Sequence, residues 1–116
     1  MRFNKYGAKK SGNFPSKLEA SVYNLLLVRE TIGEIKDIKR QVQVYLTDAK
    51  ILYKPDFSFV YIKTGETRWC EAKGFKNPVW AIKRRLWAHY GPGKLEIYEG
   101  SYRAPMLTEI IDPNKS

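Results

Sequence analysis

The chain contains one cysteine, Cys70, and one histidine, His89. A single thiol excludes an internal disulfide and suits a reducing compartment, so a cytoplasmic setting is expected. Long apolar runs are also missing. The longest, Leu25 to Val28, falls far short of the roughly 20 residues that cross a bilayer. The basic N-terminus has no apolar stretch behind it to act as a secretion signal. The expectation is a soluble, non-exported protein without a membrane partner. Acid is the third scarcity: 12 Asp and Glu stand against 21 Lys and Arg, a net charge of +9. Such a surplus draws polyanions, and nucleic acid is the leading partner, with a merely solubilising surface as the plain alternative.

What is present is enough for one domain. With 116 residues, 43% hydrophobic and 14% aromatic, the chain can bury roughly two-thirds of its unfolded surface without metal or disulfide staples. Residues 1–18 carry Arg2, Lys5, Lys9, Lys10 and Lys17 and no acid, and about residues 1–14 read as a basic mobile arm on a single domain, 1–116. Ser16 followed by Glu19 matches a capping box, with Leu18, Val22, Leu25 and Leu26 on one helical face ending near Arg29 to Gly33. Ile38 to Leu46 alternates Val42, Val44 and Leu46 with Gln41, Gln43 and Tyr45, the pattern of a half-buried strand, and Asp48 to Lys50 turns the chain. A second strand region, Ile51 to Ile62, is interrupted by Pro55. Thr64-Gly65-Glu66 makes a hairpin turn into a return strand, Thr67 to Lys73. Asn77-Pro78 caps a second helix reaching Tyr90, with Val79, Ile82, Leu86 and Tyr90 as its expected apolar stripe. Gly91-Pro92-Gly93 stops it before a strand over Lys94 to Glu99, and the chain frays from Asp112. These elements predict an α/β fold, a mixed, mostly antiparallel sheet flanked by helices.

Chemistry concentrates at the hairpin. Glu71 and Lys73, two apart on a strand, project from one face while Cys70 and Ala72 point to the other. If the strands pair, Asp56 comes beside Glu71, placing two carboxylates and an ammonium in one small volume. Such oxygens suit Mg²⁺ or Mn²⁺, one or two ions, with the backbone carbonyl of Ala72 as a further ligand. That arrangement fits phosphodiester hydrolysis, in which cations neutralise the phosphate and activate water while Lys73 orients it.

Pro55-Asp56 followed by Glu71-Ala72-Lys73 resembles the signature of the PD-(D/E)XK nuclease superfamily. Four ordered segments narrow the likeness: Tyr6-Gly7-Ala8-Lys9, Phe14-Pro15-Ser16-Lys17-Leu18-Glu19, Tyr53-Lys54-Pro55-Asp56-Phe57 and Glu71-Ala72-Lys73-Gly74. Together they resemble the phage endonuclease I type of Holliday-junction resolvase. The resemblance implies a restriction-endonuclease-like core and a metal-dependent endonuclease that cuts branched DNA. It also implies a homodimer with exchanged N-terminal helix and strand, at work in the host cytoplasm if phage-encoded. By the same resemblance Glu19, Asp56 and Glu71 hold metal, Lys73 assists water, and Glu19 serves either its own site or the partner's. Other nucleases of the superfamily, acting in repair, restriction or transposon end cleavage, and a non-catalytic nucleic-acid-binding protein of this fold, are the competing readings.

Each residue also has a plainer reading. Glu19 can be only a helix cap, Asp56 a turn residue, and Glu71 with Lys73 a surface ion pair. His89 reads as a helix-end residue rather than a general base, Cys70 as core, and Trp80 with Trp87 as core or interface packing. Gln41 and Gln43 are minor candidates to approach the site or the DNA. Expected phosphate contacts are Lys5, Lys9, Lys10, Lys17, Lys76, Arg84 and Arg85.

Overall fold

The computed structural model describes residues 14–74 and 77–114. Lys5, Lys9, Lys10, Lys76 and all of the expected basic arm except Phe14 lie outside them. The first helix, α1 (Lys17–Thr31), begins where Ser16 accepts the Glu19 N–H through its hydroxyl at 3.0 Å, satisfying one of the orphan donors of the first turn. Leu18, Val22 and Leu26, four apart, form its buried stripe.

Among the described residues seven strands follow: β1 (Ile35–Arg40), β2 (Val44–Tyr45), β3 (Leu52–Tyr53), β4 (Phe57–Tyr61), β5 (Thr67–Ala72), β6 (Leu95–Glu99) and β7 (Met106–Ile111). The second helix, α2 (Pro78–Tyr90), lies between β5 and β6. The main sheet runs β1-β4-β5-β6-β7, and β2 and β3 form a separate antiparallel pair. Only β5 and β6 pair in parallel. Parallel neighbours need a crossover, and α2 supplies it. The sheet is therefore mixed and mostly antiparallel, as its sequence predicts.

Alternation along β6 shows why helices cover both faces. Tyr98 packs with Leu18, Val22 and Leu26 of α1, alongside Phe57, Phe59 and Cys70. Leu95 and Ile97 face the opposite cluster, with Trp80 and Trp87 of α2, Leu46, Tyr53 and Ile111. Period-two geometry gives the sheet two apolar faces, and each requires a cover.

Two expectations are corrected and one strand is added. The strand over Ile38–Leu46 is broken: β1 ends at Arg40, Gln41 takes φ 55°, and its N–H turns onto the Asp56 carbonyl at 2.9 Å. The chain then enters β2 in the other sheet, keeping the alternating burial but not the continuous ladder. Along α2, Val79 and Ile82 are each 60% exposed and Tyr90 is 58% exposed, whereas Trp80 and Trp87 are buried. Two indoles bury more apolar area than the aliphatic stripe and so set the helix's rotation. The Trp87 Nε1–H donates to the Gly93 carbonyl at 2.8 Å, and a Cβ on Gly91 would lie 2.7 Å from the Trp87 ring, so glycine permits this close turn. Finally, the edge strand β7, which the sequence reading leaves unassigned, leaves Met106, Leu107 and Ile110 exposed. Among the described residues no helix is long and apolar enough to cross a membrane.

Candidate active site

Pairing of Phe57 with Cys70 in the β4–β5 ladder brings the preceding residue, Asp56, opposite Glu71. The Asp56 N–H donates to Glu71 Oε1 at 3.3 Å, and the Ala72 N–H donates to Asp56 Oδ2 at 2.8 Å. With Gln41 held on its carbonyl, Asp56 is fixed through both backbone and side chain. Lys73 continues from β5, its N–H on the Tyr98 carbonyl at 2.8 Å. Its Nζ lies 3.5 Å from Glu71 Oε2 and 4.7 Å from the centre of the Trp80 ring.

Glu19 arrives on α1, from the other face of the sheet. It is 5% exposed, and its Oε2 accepts from Gln41 Nε2 at 3.2 Å. Ser16 caps the helix by accepting the Glu19 N–H, whereas the Glu19 carboxylate itself sits against Asp56. The cluster thus straddles the end of the sheet, with Glu19 contributed by one helix and Asp56, Glu71 and Lys73 by the hairpin.

Burial dominates the electrostatics. It raises the Glu19, Asp56 and Glu71 carboxyls above the ordinary range, and Asp56 adds repulsion to both glutamates. Arg40 and Gln41 favour the ionised form of Glu19, while the Ala72 N–H and Lys73 favour that of Asp56, yet neither set offsets burial. A carboxyl whose folded pKa is raised binds its proton more tightly in the folded state, so its contribution to stability is greatest at low pH and declines as pH rises. For Glu19 that decline runs from the ordinary 4.5 to about 7. Melting temperatures in EDTA should therefore fall between pH 5 and pH 8, and fall less in Glu19→Gln. An equal fall in both proteins would remove Glu19 from the effect.

Hard oxygen donors carrying mutual repulsion are what a divalent cation relieves. Glu19, Asp56 and Glu71 supply that chemistry, and the residues fit such an ion by donor type and charge. In the arrangement described, Glu71 is turned onto the Asp56 N–H and Lys73. Among the described residues no three acidic, histidine or cysteine side chains are gathered as a ready ligand set.

The expected phosphate contacts divide. Lys17 stacks over Tyr102, its Nζ 5.1 Å from the ring centre. Arg84 is paired with Glu109 across to β7, so its charge is already committed. Arg85 is exposed on α2, in a hollow of about 290 Å³ with Ile82, Leu86, His89 and Tyr90. Cys70 is fully buried, as a core residue should be. Sequence reasoning missed Tyr53, which lies beside Glu71; its position three residues before Asp56, in a segment already singled out, was the available signal. The chain matches no known family model and no curated protein.

Proposed function

We propose that the chain is a metal-dependent DNA endonuclease with a restriction-endonuclease-like core, and that its substrate is branched DNA. The observation that carries the reading is the convergence of Glu19, Asp56, Glu71 and Lys73 at one end of the sheet, on two carboxylates fixed by the β4–β5 register. Buried carboxylates with no binding task destabilise a fold, and this cluster holds two, Glu19 and Glu71, beside the half-buried Asp56.

Glu19, Asp56 and Glu71 would hold Mg²⁺ or Mn²⁺, which when bound neutralises phosphate charge and acidifies water. The chain's own residues do the rest. Asp56, anchored by Ala72 and Gln41, fixes the position of its other carboxylate oxygen. Lys73 orients a water through its ammonium and sets positive charge beside the phosphate, while the Trp80 ring limits where that ammonium can move. The +9 charge draws the DNA toward a site whose carboxylates alone would repel it. Selection of a four-way junction by shape rests on the four-segment resemblance and on a basic chain without a base-reading motif. Two coordinated nicks across a junction call for a homodimer, with or without exchange of α1, at work in the cytoplasm, that of the host if the chain is phage-encoded.

The test is a cleavage gel with a labelled four-way junction and a matched linear duplex, in Mg²⁺, Mn²⁺ or EDTA, with Glu71→Ala alongside. Metal-dependent symmetric nicking of the junction alone, lost in Glu71→Ala, is expected. Equal cutting of both substrates would keep the nuclease and discard junction selectivity. Binding without cutting would favour the non-catalytic alternative.

A further inference from the structure

Tyr53 in β3 carries a hydroxyl that is buried and, among the described residues, is the one buried side-chain oxygen or nitrogen without a hydrogen-bond partner. Its ring is caged. Trp87 meets it edge-on with centroids 5.7 Å apart, Trp80 lies at 6.3 Å, and the Lys83 ammonium stands 6.0 Å from the ring centre while donating to the neighbouring Leu52 carbonyl. The ring therefore cannot swing its oxygen to water. An unsatisfied buried hydroxyl costs on the order of 1–3 kcal/mol, and phenylalanine would fill the same cage without that cost.

The hydroxyl lies beside Glu71 and Asp56, and a phenol facing a carboxylate has only its O–H to offer, so it is a donor. Glu71 is correspondingly loosely tethered. Among the described residues its oxygens make a 3.3 Å contact with the Asp56 N–H and a 3.5 Å contact with Lys73, both long, with the Tyr53 hydroxyl beside them.

We propose that Tyr53 is a positioning residue, whose hydroxyl donates to the Glu71 carboxylate when that carboxylate turns onto a divalent cation. The inference rests on the metal-dependent reading above. A donor behind a ligating carboxylate fixes which oxygen faces the ion, and removing such support typically costs about 10–100-fold in metal affinity. Tyr53 touches neither ion nor DNA in this role.

The experiment compares the full-length chain with Tyr53→Phe by calorimetric titration with Mn²⁺ and by metal-dependence of junction cleavage. Mn²⁺ binding should weaken about tenfold, the half-saturating metal concentration for cleavage should rise, and kcat at saturating metal should recover. The melting temperature in EDTA should stay level or rise, because only an unpartnered hydroxyl is lost. Unchanged Mn²⁺ affinity in a folded variant would overturn the proposal. If the variant melts early, the wild-type chain labelled with 3-fluorotyrosine decides by ¹⁹F NMR. The resonance missing from Tyr53→Phe should move on adding Mg²⁺, and a fixed resonance overturns the role. A wild type that binds neither ion would overturn the metal-dependent reading itself, and this inference with it.

Discussion

Asp56→Asn is expected to reduce junction cleavage by about 10³-fold or more, equivalent to about 4 kcal/mol of lost transition-state stabilisation, while leaving the fold intact. The amide retains an oxygen to accept the Ala72 N–H, the 2.8 Å bond that seats this side chain. It also replaces a charge that burial disfavours and that repels both Glu19 and Glu71. At pH 8 in EDTA the variant should therefore melt at or above the wild-type temperature, and neither glutamate should remain raised as far. Single-turnover cleavage, a gel-shift titration on the junction and a thermal melt separate the possibilities. Cleavage lost with binding and melting preserved assigns Asp56 to the chemistry. Loss of all three together would make it a structural residue of the hairpin.

Glu96→Ala should produce the largest loss of stability, about 3–5 kcal/mol. Glu96 is 1% exposed in β6 and sits between two guanidinium groups. Arg29 of α1 donates to it at 2.7 and 3.3 Å, and Arg68 of β5 at 3.1 Å. Removing the carboxylate strands both cations in a half-buried space, one over Phe59 and the other over Tyr61. Their remaining carboxylate partners, Glu34 and Glu66, stand at the more exposed margin, and Arg29 keeps only the neutral Tyr98 hydroxyl inside. Because the cost arises from the uncompensated cations, replacing all three residues with apolar ones of similar volume should restore most of it. Urea unfolding of the single and triple variants measures the difference, and a single variant within about 1 kcal/mol of wild type would show that the cluster is solvated.

The difference between what could and could not be read in advance follows from the range of the interactions. Asp56, Glu71 and Lys73 were legible because one hairpin with a two-residue period fixes their mutual placement. Glu19 was legible as a helix-start residue from local spacing; its approach to Asp56 was implied only by resemblance, since it crosses the sheet. The rotation of α2 was not legible. Val79, Ile82, Leu86 and Tyr90 have better helical spacing than two lone tryptophans, and only the facing rings of Tyr53 and Trp69 decide which side turns in. The break at Gln41 was hidden for the same reason, since it depends on a bond to Asp56 fifteen positions away. Nothing in the local sequence marks Glu96 as buried, because its partners come from two other elements.

The Glu96 clamp has another consequence, for the placement of α1 along its own axis. Leu18, Val22 and Leu26 repeat every fourth residue, so sliding the helix by one turn, about 5.4 Å, would put one aliphatic side chain where another had been. Packing alone distinguishes such positions weakly. Arg29 has no equivalent one turn earlier, where Leu25 stands, and so a slipped helix would lose its ionic anchor. Glu19 lies ten residues away, about 15 Å along the same rod, and depends on that registration to meet Asp56. The clamp at one end of the helix thus acts as an axial stop for the carboxylate at the other.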